Sequence, residues 1–321
     1  MGREPQCYFF DYWVQKLPSV LQASRQERSG VVYKLLIVAA TIIWGSSFVI
    51  VKDITSYISP AWILFIRFSI AALILALVFW KKRALFFKKE YLLYGCLFGL
   101  ALGSGYYLQT VGIQYTTPGK NAFLTGTYCV MVPFLAWAVT YRAPTKFNLV
   151  AAFLCIAGVG FISLNGESDV NIGDLFTLAC AVFYAVHIIL VSKFSKGRDI
   201  YVLTMWQFAT VAVLSLGIGI GFESIPSYLF SLGFEQYLSL GYLAVACTAV
   251  ALLFQNVGQA HVPPASASLL LSLESPFGVA FSVAFGAEVL TGQVMIGFVL
   301  VFAAILVSEV LPAKLALQKA S

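Results

Sequence analysis

Residues 107–124 read YLQTVGIQYTTPGKNAFL, and residues 253–270 read LFQNVGQAHVPPASASLL. Gln109, Val111, Gly112 and Pro118 of the first stretch return as Gln255, Val257, Gly258 and Pro264 of the second, at a constant separation of 146 residues. A slightly smaller separation lays Arg67-Phe68 on Gln207-Phe208. The chain therefore carries an internal repeat, and its fold depends on what each copy contains.

Of the 321 residues, 60% are hydrophobic and 11% are charged, with a mean hydropathy of +0.88. Soluble domains hold about 45–50% apolar and about 25% charged residues. This chain has too little charge to wet its own surface, so much of that surface faces lipid. Apolar runs recur at about 33–51, 61–80, 91–114, 121–140, 147–164, 174–192, 201–221, 237–258, 264–286 and 291–311. Each is long enough to cross ~30 Å of hydrocarbon at 1.5 Å per residue. Unbroken apolar runs exclude the alternating pattern of a membrane β-barrel, and lipid cannot satisfy backbone groups left outside a helix. The sequence thus predicts an all-α integral membrane protein of ten transmembrane helices. Five fall in each copy, over 33–164 and 173–311, flanked by an N-terminal segment 1–32 and a tail 312–321. An odd number of spans makes the second copy enter the membrane from the opposite side. Such inverted repeats are a recurrent plan of secondary transporters, which bind solute near the midplane and alternate access by rocking.

The formal net charge of +6 does not indicate nucleic acid, because of where the cations lie. Arg3, Lys16, Arg25, Arg28 and Lys34 precede or open the first span, and Lys81, Lys82, Arg83, Lys88 and Lys89 follow the second. Arg142, Lys146, Lys193, Lys196, Arg198, Lys314 and Lys319 fall on the same side, whereas the alternate loops hold Lys52, Lys120 and most of the loop carboxylates. The positive-inside rule then places both termini in the cytoplasm of a cell-membrane protein. The six cysteines are scattered without a C-x-x-C pair and read as small apolar packing residues. The first thirty residues are too polar for a secretory signal peptide. Phe10, Trp13, Val14, Leu17 and Leu21 have the spacing of an interfacial helix, but Pro18 interrupts it, and disorder is the competing reading.

Several short motifs, in their order along the chain, resemble the EamA-type members of the drug/metabolite transporter superfamily. Trp44-Gly45-Ser46-Ser47-Phe48 is similar to that family's W-G-S-x-F segment, and Pro60 with Arg67-Phe68 resembles its second span. Gln109 to Pro118 with Phe123-Leu124 resembles its third and fourth spans. Glu274-Ser-Pro276 and Gly286-Ala-Glu288 resemble its E-P…L-G-E ending, with Ser275 and Ala287 as departures. The resemblance implies a carrier of small organic solutes in the cytoplasmic membrane, often an exporter of amino acids or related metabolites.

Two ionisable residues stand out inside the spans. Arg67 sits roughly 10 Å into its span at 1.5 Å per residue, where an insertion cost of about 2.5–3.5 kcal/mol drives it toward the bundle interior. There it suits a substrate carboxylate. Glu274 lies near the middle of the ninth span and suits a proton-coupling or substrate-binding group. A structural pair between them is the alternative reading. Trp44, Ser46, Ser47, Tyr107, Asn121, Tyr128, Tyr184 and His187 are further candidates for lining a solute pathway, each weighed against ordinary interhelical packing. Gln109 and Gln255, kept in both copies, read as scaffold. Gly95, Gly99 and Gly103 mark a close helix contact, and Pro133 and Pro276 predict kinks within spans. No metal or cofactor site is read from the chain. Two separated histidines and the absence of H-E-x-x-H, Walker A and G-x-S-x-G patterns argue against a membrane enzyme, and no filter-like loop suggests a channel. The expected activity is secondary transport of a small solute, coupled to protons or operating as a uniporter.

Overall fold

The computed structural model describes residues 31–141, 143–163, 171–224, 232–262, 267 and 270–320. Residues 1–30 of the N-terminal segment and Pro264 lie outside them, while residues 31 and 32 already belong to the first helix. The described residues are almost wholly helical: α1 Val31–Ile54, α2 Pro60–Val78, α3 Lys89–Tyr115, α4 Pro118–Gly126, α5 Tyr128–Thr140 and α6 Lys146–Ser163. They continue as α7 Ile172–Phe194, α8 Ile200–Phe222, α9 Phe234–His261, α10 Glu274–Ala284 and α11 Gly292–Ala320. Among the described residues seven helical stretches are long and apolar enough to cross a membrane, one of them α4 and α5 together. The apolar parts of α6 and α11 are shorter. The tail expected from residue 312 continues α11 as helix.

Helix starts follow local chemistry. Pro60 and Pro118 occupy first-turn positions, where a missing N–H costs nothing. Asn171 and Asp199 cap α7 and α8 with their side chains. At the far end of α3, Lys52 Nζ donates to the carbonyls of Ile113, Gln114 and Thr116 at 2.9–3.1 Å, a cation on a helix C-terminus. Outward-facing residues such as Leu77, Phe153 and Ile156 are strongly exposed, as expected of helices that are apolar on every side.

The main packed pairs are α2 with α8, α3 with α7 and α8, α6 with α11, and α4 with α10. Gly95, Gly99 and Gly103 lie along the α3–α8 seam, against Trp206, Thr210 and Leu214. A Cβ on Gly99 would meet the Gln207 carbonyl at 2.6 Å, so the backbones approach as the G-x-x-x-G spacing predicts.

The expected fourth span, 121–140, is broken at Thr127, between α4 and α5. Turn residues Ser272 and Leu273 likewise precede α10 within the expected ninth span. Thr127 and Leu273 stand 146 residues apart, the repeat separation. The breaks thus fall at matching positions, although Pro133 and Pro276 do not match. Pro276 sits in the first turn of α10, where it is tolerated, and the Ser272 carbonyl accepts from the Ser275 N–H at 3.2 Å instead. Pro133 lies inside α5, six positions beyond the break. The two broken stretches touch near their breaks: Ser275 Oγ donates to the Ala122 carbonyl at 3.1 Å, and the absence of a Cβ on Gly126 makes room for Ser275.

Candidate functional site

A cavity of about 640 Å³, its mouth included, lies between α1, α2, α3, the α4–α5 break, α7, α9 and the start of α10. The α3 wall is made by Leu102, Tyr106, Gln109, Thr110 and Ile113, positions i, i+4, i+7, i+8 and i+11 that share one helical face. Tyr128 and Glu274, the first residues after the two breaks, both line it. Each break therefore delivers the start of a half-helix to the cavity, an arrangement found at midplane sites of transporters.

Arg67 and Glu274 are the charged residues of this lining, 2% and 9% exposed. Arg67 Nε donates to Thr248 Oγ1 at 3.1 Å, and its guanidinium carbon lies 5.3 Å from the Tyr106 ring centroid. The two charges share the cavity without forming an ion pair. Among the described residues the ion pairs are Lys82–Asp199 and Arg198–Glu90, at the end where α2 stops and α8 begins. A buried cation and a buried carboxylate held apart offer opposite charges to one ligand, and each loses solvation that such a ligand restores.

Aromatic rings and amides frame these charges. Tyr184 meets Tyr106 and Tyr128 edge-on, with centroids 5.6 and 6.3 Å away. Its hydroxyl donates to Gln109 Oε1 at 2.9 Å, while Gln109 Nε2 donates to Thr125 Oγ1 at 3.0 Å. Asn121 Nδ2 donates to Thr177 Oγ1 at 2.7 Å, and Asn121 Oδ1 is a buried acceptor without a donor among the described residues. Trp44 Nε1 donates to the Cys247 carbonyl at 2.8 Å, and Ser47 Oγ to the Trp44 carbonyl at 2.8 Å. His187 Nε2 meets Gln207 Oε1 at 3.2 Å, an oxygen that also accepts from Asn256 Nδ2.

Of the residues singled out in the sequence, Trp44, Ser47, Arg67, Asn121, Tyr128, Tyr184, His187 and Glu274 come together around this cavity. Tyr107 does not: its hydroxyl donates to Glu223 at 3.3 Å, on a carboxylate that also accepts from the Ala61 N–H at the start of α2. Ser46 pairs with the Tyr242 hydroxyl at 2.7 Å. Tyr106, the neighbour of Tyr107, is the α3 tyrosine that reaches the cavity, on the face it shares with Gln109 and Ile113. Gln109 and Gln255, read as scaffold, also line the wall. Thr248 carries no sequence signal.

The EamA-like transporter family model matches this chain twice, over residues 32–164 and 171–309. An uncharacterized transporter of Archaeoglobus fulgidus is 35% identical over 268 residues, covering 83% of this chain and 82% of that protein. The uncharacterized transporter YoaV of Bacillus subtilis is 27% identical, covering 65% of this chain and 76% of its own length. A solved structure titled only as a crystal structure of a protein superposes with a TM-score of 0.65 at 16% identity, over 88% of this chain and 98% of its own. At that identity the likeness is one of fold.

Proposed function

The chain belongs to the EamA-like transporter family and is a multi-pass membrane transporter, and on that premise we propose that it is a secondary carrier exporting small zwitterionic solutes, amino acids or related metabolites, across the cytoplasmic membrane. The observation that carries the proposal is the pair of buried charges, Arg67 and Glu274, lining one cavity with no ion pair between them. Arg67 holds the solute carboxylate, since a guanidinium matches that group bidentately. Glu274 and Asn121 Oδ1 accept from its ammonium, and the Tyr106, Tyr128 and Tyr184 rings give the apolar wall. The site carries one charge of each sign, which favours a ligand of no net charge over a simple anion or cation.

The cycle we propose is alternating access by ten spans arranged as two inverted five-helix repeats, with both termini cytoplasmic. The matched breaks at Thr127 and Leu273 and the packing of repeat counterparts, α2 on α8 and α6 on α11, support it. Glu274 is the coupling group: it takes a proton when the ammonium leaves and gives it up when the next solute arrives.

Purified protein in liposomes tests this. Saturable exchange of a labelled amino acid for unlabelled amino acid on the other side, without ATP, is the expected result. Ohmic, non-saturating conductance, or chemical turnover of the solute, overturns it.

A further inference from the structure

We propose that Thr248 is a positioning residue for Arg67, and that the π-helical winding of Leu243–Val250 in α9 delivers its hydroxyl to the guanidinium. The inference rests on the reading of Arg67 as the carboxylate site. In this molecule Thr110, Thr177, Thr204 and Thr210 each bond the carbonyl four residues back, at 2.7–2.8 Å, the usual habit of a helical threonine. Thr248 bonds the carbonyl of Leu243, five residues back, at 2.7 Å. It can do so because the backbone from Leu243 to Val250 is wound as a π-helix, a rare form that is frequent at functional sites. The hydroxyl proton is thereby fixed on the backbone, and a lone pair faces Arg67 Nε at 3.1 Å.

The same stretch supplies the Cys247 carbonyl to Trp44 Nε1 at 2.8 Å. One irregular segment of α9 thus anchors two residues of the cavity wall that belong to the first half of the chain. The scaffold does not require this. At the repeat separation of 146 residues, Leu102 stands where Thr248 stands, within the regular helix α3. Gln207 stands where Arg67 stands, and its amide goes to His187 and Asn256 instead. A polar contact between a residue peculiar to one half and a residue peculiar to the other serves the site rather than the architecture.

The consequence is directional. With Nε engaged by Thr248 and the guanidinium over the Tyr106 ring, Arg67 meets a carboxylate through its two Nη groups, in an orientation set before the ligand arrives. A valine at 248 keeps the volume but cannot accept that bond.

The test is counterflow in proteoliposomes, using the best-exchanged of the common L-amino acids and, beside it, the amine that lacks its carboxylate. Thr248→Val is expected to raise KM for the amino acid about tenfold, the scale of one hydrogen bond to a charged group. Its maximal rate and the handling of the amine stay unchanged, and Thr248→Ser restores KM. In an Arg67→Lys background, which has no Nε–H in that place, Thr248→Val adds nothing further. Thr248→Ala replaces the valine variant if the latter does not elute as a single species. An unchanged KM, an equal change for amino acid and amine, or simple additivity with Arg67→Lys overturns the role of Thr248. If Arg67→Gln leaves the preference for amino acid over amine intact, or if no amino acid exchanges, the carboxylate reading of Arg67 falls instead.

Discussion

Replacing Lys82 by Gln probes how one end of the bundle is sealed. Lys82 Nζ bonds Asp199 Oδ2 and lies 4.3 Å from the Tyr201 ring centroid. Beside it, Arg198 Nε reaches Glu90 Oε2 at 3.2 Å, and the Asp199 N–H donates to the Tyr91 hydroxyl at 3.1 Å. These contacts strap the turn between α7 and α8 onto the end of α2 and the start of α3. Any cycle that opens this end must break them. The Lys82 and Asp199 side chains are 34% and 20% exposed, so water and salt screen the pair, and its worth is about 0.2–1 kcal/mol. Because 1.4 kcal/mol is a factor of ten, its loss raises the population open at this end by about 1.4- to fivefold. Asp199 also accepts from the N–H groups of Tyr201 and Val202. Lys82→Gln leaves that cap in place, and Asp199→Asn keeps it too, since Asn caps as well as Asp. The two variants should therefore act alike. The reporter is Ser195, 4% exposed in the strapped turn, changed to Cys in a chain whose Cys7 and Cys96 are serine. Labelling by a membrane-impermeant maleimide should quicken by the same factor in both variants. Raising salt to 1 M should bring the parent toward them. Identical labelling of parent and Lys82→Gln at low and high salt would refute the reasoning.

Glu274→Gln should abolish uptake driven by a pH gradient, while counterflow persists with a raised KM, because the amide oxygen still accepts from the ammonium without a charge; unchanged gradient-driven uptake removes Glu274 from the coupling role. Gly99→Leu should lower the melting temperature in detergent, because the new side chain meets the Gln207 carbonyl and Thr210, an overpacking that costs about 1–3 kcal/mol. Gly217→Ala, with no atom of the described residues within 4 Å of the added Cβ, should leave the melting temperature unchanged or raise it, a gain of up to about 1 kcal/mol. Trp44→Phe removes the 2.8 Å bond to the Cys247 carbonyl; the loss of about 0.5–1.5 kcal/mol should appear as reduced thermal stability, and an unaltered melting curve would show that the bond is not stabilising.

The class of molecule and the identity of the two charges that line its cavity are legible in the primary structure. Hydropathy is summed along the chain, and lipid leaves the backbone no choice but to bond within itself, so long apolar runs read directly as helices. Arg67 and Glu274 stand out for the same reason: a charge inside such a run is costly wherever it points. Which face of each helix turns inward is a different matter. Lipid tails and protein interior are both apolar, so the pattern that orients a helix in a soluble protein is nearly absent here. That is why adjacent Tyr106 and Tyr107 could not be told apart until α3 packed on α7 and α8, and why Pro133, a plausible kink, lies beyond the break at Thr127. Thr248 is an ordinary residue in an apolar run until π winding turns its hydroxyl toward Arg67. Residue type is fixed one position at a time, whereas separating Arg67 from Glu274 across a shared cavity takes the packing of helices far apart in the chain, and only the tertiary structure decides it.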